Sequence, residues 1–231
     1  VMRLNRRFLG FADERDGSVA IEFAMILPVL LILLLGTFEV SKYIQTNNQV
    51  VQVVSMVGQM ASQLPAAAKV ADVQRIWSAA PLIAAEAQRV AVRRKASRWS
   101  DVLSLTITSI AFTKRIPSCQ TDCQYDGNVS WSVGQAPITC GKIYRGGAIR
   151  PTSDVIPDEL YGPGSVLHVR ASLPYEPYLT GTASFLDGMA RALTTTMVES
   201  SWFLPRNATN IALSAIGAPN PNFTICPGVV P

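Results

Sequence analysis

The chain carries one block of apolar positions long enough to cross a bilayer. From Ser18 to Val40 only Glu22 and Glu39 are charged, and a transmembrane helix needs about 20 predominantly apolar residues. The pattern predicts a helix opening at Ser18, which is placed to act as N-cap. Pro28 lies inside it, removing a backbone donor and predicting a kink, and Gly36 loosens it near its far end. From Val40 the helix continues with a different face. Val40, Tyr43/Ile44, Val50, Val53/Val54, Val57, Met60/Ala61 and Leu64 recur near the helical period, with Gln and Asn opposite. Pro65 ends the run. A helix from Ser18 to Leu64 is about 70 Å long at 1.5 Å per residue, its first half in lipid and its second half against an outer domain.

Beyond Pro65 the periodicity predicts one or two further helices between Asp72 and Ser97, broken near Pro81, with Trp77, Ile83 and Val90 as a core-facing stripe. After Asp101 the period falls to two. Val102–Phe112, Asn128–Gln135, Ser165–Leu173 and Thr194–Leu204 read as strands, separated by turn clusters at Tyr125-Asp126-Gly127-Asn128 and Tyr161-Gly162-Pro163-Gly164. Short strands following helices predict an α+β domain with an antiparallel sheet. Residues 136–163 read as a long excursion, and 217–231 as a Pro- and Asn-rich tail pinned at Cys226. The expected organisation is a leader over 1–17, a membrane helix over 18–40 and an outer domain over 41–231.

A hydrophobic content of 48% excludes a disordered polar chain. A basic stretch (Arg3, Arg6, Arg7, Arg15) precedes the apolar block, as in a secretory signal, but the block is too long and no small-x-small cleavage site follows it. It reads as a retained anchor. Four Arg lie before the span and only Lys42 shortly after it, which predicts a cytoplasmic N-terminus and an exported domain.

Cys119, Cys123, Cys140 and Cys226 all fall on the exported side, so an even count reads as two disulfides. Three pairings are possible. We favour Cys119–Cys123 with Cys140–Cys226, the second closing a loop of about 86 residues worth about 3–5 kcal/mol in the chain-entropy model. A zinc site is the competing reading, but Cys-x2-Cys repeats are absent and the sole histidine, His168, sits in a strand-like run. The net charge of +4 owes much to Arg89, Arg93, Arg94, Lys95 and Arg98, read as a solvated helix end; contact with lipid headgroups or nucleic acid is the sharper alternative. No binding motif with interleaved aromatics accompanies the cluster beyond Trp99, so no nucleic-acid partner is expected.

No constellation for catalysis stands out. No Gly-x-Ser-x-Gly elbow is present, and His168 is expected to face solvent or pack on a sheet. Asp154, Asp158 and Glu159 lie among prolines and do not fit an EF-hand loop. Gly146-Gly147 and Gly162-Pro163-Gly164 read as turns. Three sequons (Asn128, Asn207 and Asn222) match a pattern common by chance. No cofactor or metal is expected.

Glu22 lies five residues after Gly17 within Gly17-Ser18-Val19-Ala20-Ile21-Glu22-Phe23. A carboxylate in a span costs about 2.5–3.5 kcal/mol on insertion scales and is read as functional. This spacing resembles the type IV prepilin pattern. With Leu27-Pro28 and the Gly36-x-x-Glu39 exit, the segment resembles the TadE/TadG-like proteins of bacterial tight-adherence (Flp) pilus systems, most closely from Gly17 to about Val57. Ile138-Thr139-Cys140-Gly141 and Trp202-Phe203-Leu204-Pro205-Arg206 are also similar to that family. No Asp-x-Ser-x-Ser motif of an appended von Willebrand-type domain is present, so the TadE-like branch fits better. The resemblance implies a pilin-like architecture, anchoring in the bacterial inner membrane, and partners among pilus subunits and assembly proteins. It also implies cutting between Gly17 and Ser18 by a prepilin peptidase. Glu22 would then pair with the α-amine of a neighbouring subunit and set the register of assembly, in place of snorkelling to the headgroups. The role implied is a minor pilin or pseudopilin-like component, not an enzyme. The alternatives are a membrane-tethered periplasmic enzyme and an unprocessed envelope scaffold.

Overall fold

A computed structural model describes residues 16–150, 152–178, 194–214 and 222–228. Its backbone is organised by one long helix, α1 (Asp16–Ser62), which passes through Pro28 without interruption. The helix already includes Asp16 and Gly17, so Ser18 lies inside its first turn and is not the cap expected from its residue type. At the other end the helix stops two residues before Leu64. The amides of Gln63 and Leu64 donate to the carbonyls of Met60 and Ala61 at 3.2 Å, the tightened last turn that commonly closes a helix.

The two halves of α1 have different surroundings. Large apolar side chains from Ile21 to Phe38 are exposed, whereas Val50, Val53, Val54, Val57 and Ala61 are buried. Glu39, at 3% exposure, is the first buried residue along the helix from Ala20, and Thr46 is the second. Positions 39, 46, 50, 53, 57 and 61 form one buried stripe at helical spacing, apolar from Val50 onward.

A short strand β1 (Ala67–Lys69) follows, then α2 (Val70–Ser78), α3 (Ala80–Ile83) and α4 (Ala85–Arg93). The region thus holds three short helices, not one or two broken near Pro81. Pro81 sits in the first turn of α3, where its missing N–H costs nothing, and the breaks fall at Ala79 and Ala84. Val90 is buried, while Trp77 and Ile83 are partly buried against the main core.

The main sheet contains β2 (Ser104–Lys114), β3 (Tyr125–Gly134), β4 (Lys142–Ile143), β5 (Gly164–Tyr175), β6 (Thr195–Phe203) and β8 (Phe223–Ile225). Its order is β4-β3-β2-β5-β6, with β8 also beside β3, and every pairing is antiparallel. The four strands expected from period-two patterning are all present, with ends displaced by up to three residues. β4, β8 and β7 (Ala212–Ser214) were not anticipated, and β7 pairs in parallel with β1 in a separate ribbon.

Alternation places Leu103, Leu105, Ile107, Leu167, Val169, Ala171, Leu173 and Tyr175 in the core shared with α1. Ile110, Phe112 and Val166 point the other way and pack with Ile143, Ile149 and Ile156. The register of β3 on β2 shifts between Ser109 and Ile110, pairing Trp131 with Ser109 and Val129 with Ile110. This extra residue is a β-bulge. It lets Trp131 and Val133 join the helix-facing core while Val129 joins the opposite one. Residues 136–163 are therefore a lid over the far face of the sheet, not a bare loop.

Gly58 lets β6 close on the helix. A Cβ built there would lie 2.1 Å from Phe203 Cε2, so any side chain displaces the ring. Gly58→Ala should lower stability by about 1–3 kcal/mol, the usual range for overpacking, despite the better helix propensity of alanine. Adding Phe203→Leu should recover part of the loss. Thermal unfolding of the two single variants and the double variant would check this; additive losses would mean that the two sites do not touch.

Candidate functional site

The membrane half of α1 is presented without cover. The apolar window of this helix has no residue buried inside the protein. From Ala20 to Phe38 it extends about 28 Å, close to the ~30 Å hydrocarbon core of a bilayer. Gly17 and Ser18 occupy the first helical turn, and Glu22 is exposed on the turn that follows. Leu27-Pro28 falls midway along the exposed stretch.

The helix meets the domain in a polar collar around Glu39. Its carboxylate accepts a short hydrogen bond from the Tyr175 hydroxyl. The Tyr178 backbone N–H reaches both of its oxygens at 3.1 Å. The Tyr178 hydroxyl donates to Glu86 Oε2 at 2.8 Å, and Glu86 also accepts from Arg89 Nε. The Arg89 guanidinium lies over the Tyr178 ring, 3.8 Å from its centroid, and donates to the Glu176 carbonyl at 2.8 Å. Arg93 donates to the Pro177 carbonyl at 2.6 Å, and Arg94 pairs with Glu176. The Glu86 amide is bound by Gln49 Oε1 of α1 at 3.0 Å, closing the ring back onto the helix. Edge-on contacts of Phe38 with Tyr178 and of Tyr43 with Tyr175 flank it.

A buried carboxylate is tolerated only when its oxygens are satisfied, and here they are bound from one four-residue stretch, 175–178. Burial raises the pKa of Tyr175, and the hydrogen bond it donates to Glu39 and the charge of that carboxylate raise it further. Burial raises that of Tyr178 too, reinforced by Glu86. The basic cluster is accordingly more than a solvated helix end. Arg89, Arg93 and Arg94 tie down residues 176–177, while Lys95 and Arg98 remain exposed.

Cys119 bonds Cys123 across the β2–β3 connection, and Cys140 bonds Cys226, stapling the lid over residues 136–163 to the end of β8. With all four sulfurs in disulfides, the zinc alternative loses its thiolates. His168 is 0% exposed, so it does not face solvent. Its Nε2 lies 2.9 Å from Asp154 Oδ2, and its ring packs on Trp202 at 4.5 Å. Burial holds its pKa down, partly offset by Asp154. Arg170 takes the same Asp154 oxygen at 2.8 Å. Thr108, opposite His168 on β2, turns its hydroxyl to Ser132 at 2.8 Å. Asp158 pairs instead with Arg145 at 2.9 Å, so the Asp154, Asp158 and Glu159 group does not converge. Among the described residues no three metal-ligating side chains cluster.

The collar was not legible as a site from the sequence. Glu39 carried a signal nonetheless, since it lies seven residues before Thr46 and eleven before Val50, in line with the buried stripe. Its partners at 175–178 are distant in sequence and follow a strand with no polar motif.

These features define an α+β domain carried on a single membrane-length helix and locked to it at the exit point. Residues 17–58 match the family model described as TadE-like protein. The match takes in Gly17, Glu22, Leu27-Pro28, Gly36, Glu39 and the buried stripe through Gly58, so the chain has a TadE-like N-terminal segment. Neither the curated proteins nor the solved structures contain a match to this chain.

Glu39→Ala would leave the Tyr178 amide without its acceptor and the Tyr175 hydroxyl with only the backbone carbonyl at position 39, at 3.3 Å. The loss should be about 2–3 kcal/mol, the scale for a hydrogen bond to a charged group. Faster hydrogen exchange should appear at residues 39–46 and 175–178, ahead of the sheet. Alkali should act on the same joint. A tyrosine with a raised folded pKa contributes stability that is complete below its unfolded value of 10.0 and declines as pH rises through the folded value. The parent should lose stability above about pH 10 more steeply than Tyr175→Phe does. Parallel pH–melting curves for the two would expose a wrong sign.

Proposed function

We propose that the protein is a non-enzymatic, membrane-anchored component of a tight-adherence pilus machine, acting as a minor pilin or pseudopilin-like subunit in pilus biogenesis and surface adhesion. The observation that carries this reading is the TadE-like match over residues 17–58, which coincides with a helix whose first half is bare and whose second half is built into the domain. Such a helix can pack laterally on neighbouring helices in the membrane while the domain stays attached. The same reading places the anchor in the bacterial inner membrane, the N-terminus in the cytoplasm and the disulfide-bonded domain outside, in keeping with the charge asymmetry about the span.

Within it, prepilin peptidase cuts after Gly17 and leaves a charged amine on Ser18. Glu22 of one subunit pairs with that amine on another. In low dielectric a matched pair is retained and a misregistered one is penalised, so the carboxylate sets register more than it adds stability. A hydrolase reading would need the His168–Asp154 pair. The His168 side chain is fully buried, and among the described residues no nucleophile is hydrogen-bonded to it, which favours a packing role.

Processing is tested by the intact mass of the protein from native membranes. The chain should begin at Ser18, and Gly17→Asp should block cutting; an uncut chain with normal piliation would leave the unprocessed scaffold as the reading. Register is tested by Glu22→Ala. The more apolar span should insert at least as well, while crosslinking to other pilus subunits drops sharply, because breaking a buried pair costs about 3–5 kcal/mol. Unchanged crosslinking and piliation would reduce Glu22 to a snorkelling residue.

A further inference from the structure

Among the described residues, the collar around Glu39 holds more basic side chains than carboxylates. Lys42, Arg89, Arg93 and Arg94 lie about the carboxylates of Glu39, Glu86 and Glu176, and Lys95 follows Arg94 in the chain. Lys42 Nζ and the Arg89 guanidinium flank the same Tyr178 ring, at 5.6 and 3.8 Å. Arg93 and Arg94 reach the adjoining Pro177 and Glu176. This positive surplus therefore sits at the level where α1 passes from bare to buried. Tyr43 and Tyr178 stand at the same level, and aromatic residues with a polar tip concentrate at membrane interfaces.

The end of α4 adds an independent observation. The amide of Lys95 donates to the Val92 carbonyl at 3.1 Å and that of Ala96 to the Ala91 carbonyl at 2.9 Å, a Schellman closure whose left-handed position usually holds glycine. Lys95 occupies it with φ 53°. A lysine there is strained for no gain in packing, since its side chain is exposed, and Val92 beside it is 80% exposed. A disfavoured backbone conformation retained on a surface points to a use for the side chain.

We propose that this collar binds the phosphate headgroups of anionic phospholipids in the leaflet that α1 exits, with Lys42 and Lys95 as its outer contacts. The inference rests on the reading of the apolar half of α1 as a membrane span. Each basic side chain near an anionic surface strengthens attachment about fivefold, and salt weakens it. Besides adding affinity, lipid bound here would fix how the domain is oriented over the bilayer.

The test uses the full chain reconstituted in vesicles of equal phosphatidylglycerol and phosphatidylcholine, then released in mild detergent for native mass spectrometry of retained lipid. The parent should resist carbonate extraction and keep phosphatidylglycerol at least tenfold over phosphatidylcholine. Lys95→Gly should weaken that preference about fivefold while raising the melting temperature, because glycine suits the left-handed position. Lys42→Gln added to it should weaken the preference again. Arg145→Gln, in the lid on the far face of the sheet, should change nothing. An embedded parent that retains both lipids equally, or a Lys95→Gly chain with undiminished preference, overturns the proposal and leaves the span intact. Displacement of the lipid by free glycerol phosphate at equal concentration would also overturn it, by revealing a soluble-phosphate site. A parent extracted by carbonate would sink the span and the collar together.

Discussion

The attachment of the domain to its helix turns on one buried carboxylate. Above Glu39 the helix has an apolar stripe and a sheet to bury it against. Below it, no residue from Ala20 to Phe38 is buried. A helix packed on a sheet by valines and alanines alone could slide or rotate at modest cost, because dispersion contacts are many and individually small. Hydrogen bonds to a charged acceptor are directional and expensive to leave unmade. By placing that acceptor at the first buried position, the fold makes the end of β5 and the helix share one fixed geometry. The Glu86–Arg89–Tyr178 chain extends the constraint to α4, and Gln49 returns it to α1.

The rest of the domain serves this arrangement from two sides. The helix-facing core is made by odd-numbered positions of β2 and β5, and the far core by some of the even-numbered ones. A single bulge in β3 lets one strand feed both. The lid over residues 136–163 then covers a face that would otherwise expose Ile110, Phe112 and Val166. Its covalent tie, Cys140–Cys226, joins segments about 86 residues apart in the chain, where closing a loop removes much entropy from the unfolded state. At the end remote from the collar, the Arg206 amide and the Asn207 side chain bond the carbonyls of Ser62 and Gln63 at 2.7 Å each. The last turn of α1 is thus held as well as its exit.

Much of this was readable because it depends on local period. The apolar block, the change of face after Val40 and the four longer strands each span enough residues to show their repeat. The short elements did not: Ala67–Lys69, Lys142–Ile143, Ala212–Ser214 and Phe223–Ile225 are too brief to alternate, and exist because a neighbour offers an edge. Pro81 misled for a related reason, since a proline breaks a helix interior but fits a first turn. His168 was half legible. Its strand was evident, but its burial depends on Asp154 and Trp202, which only the fold brings to it. The collar was the least legible part, because its acceptor and donors lie about 136 residues apart and nothing local marks Tyr175 or Tyr178 as partners.

Glu22 and Glu39 are the two charges in an otherwise apolar run, and the fold separates their tasks. Glu39 is satisfied within the chain, so it adds rigidity at the point where the helix leaves the domain. Glu22 lies about 25 Å further along the same helix, on the exposed half. If Glu22 sets register between subunits, as proposed, that register is useful to the outer domains only when the helix between the two carboxylates transmits rotation and depth. A loose joint at Glu39 would let each domain turn independently of its anchor, and matching helices in the membrane would no longer align the domains outside. If register is set at Glu22, the buried acid at position 39 is what carries it to the outer domain.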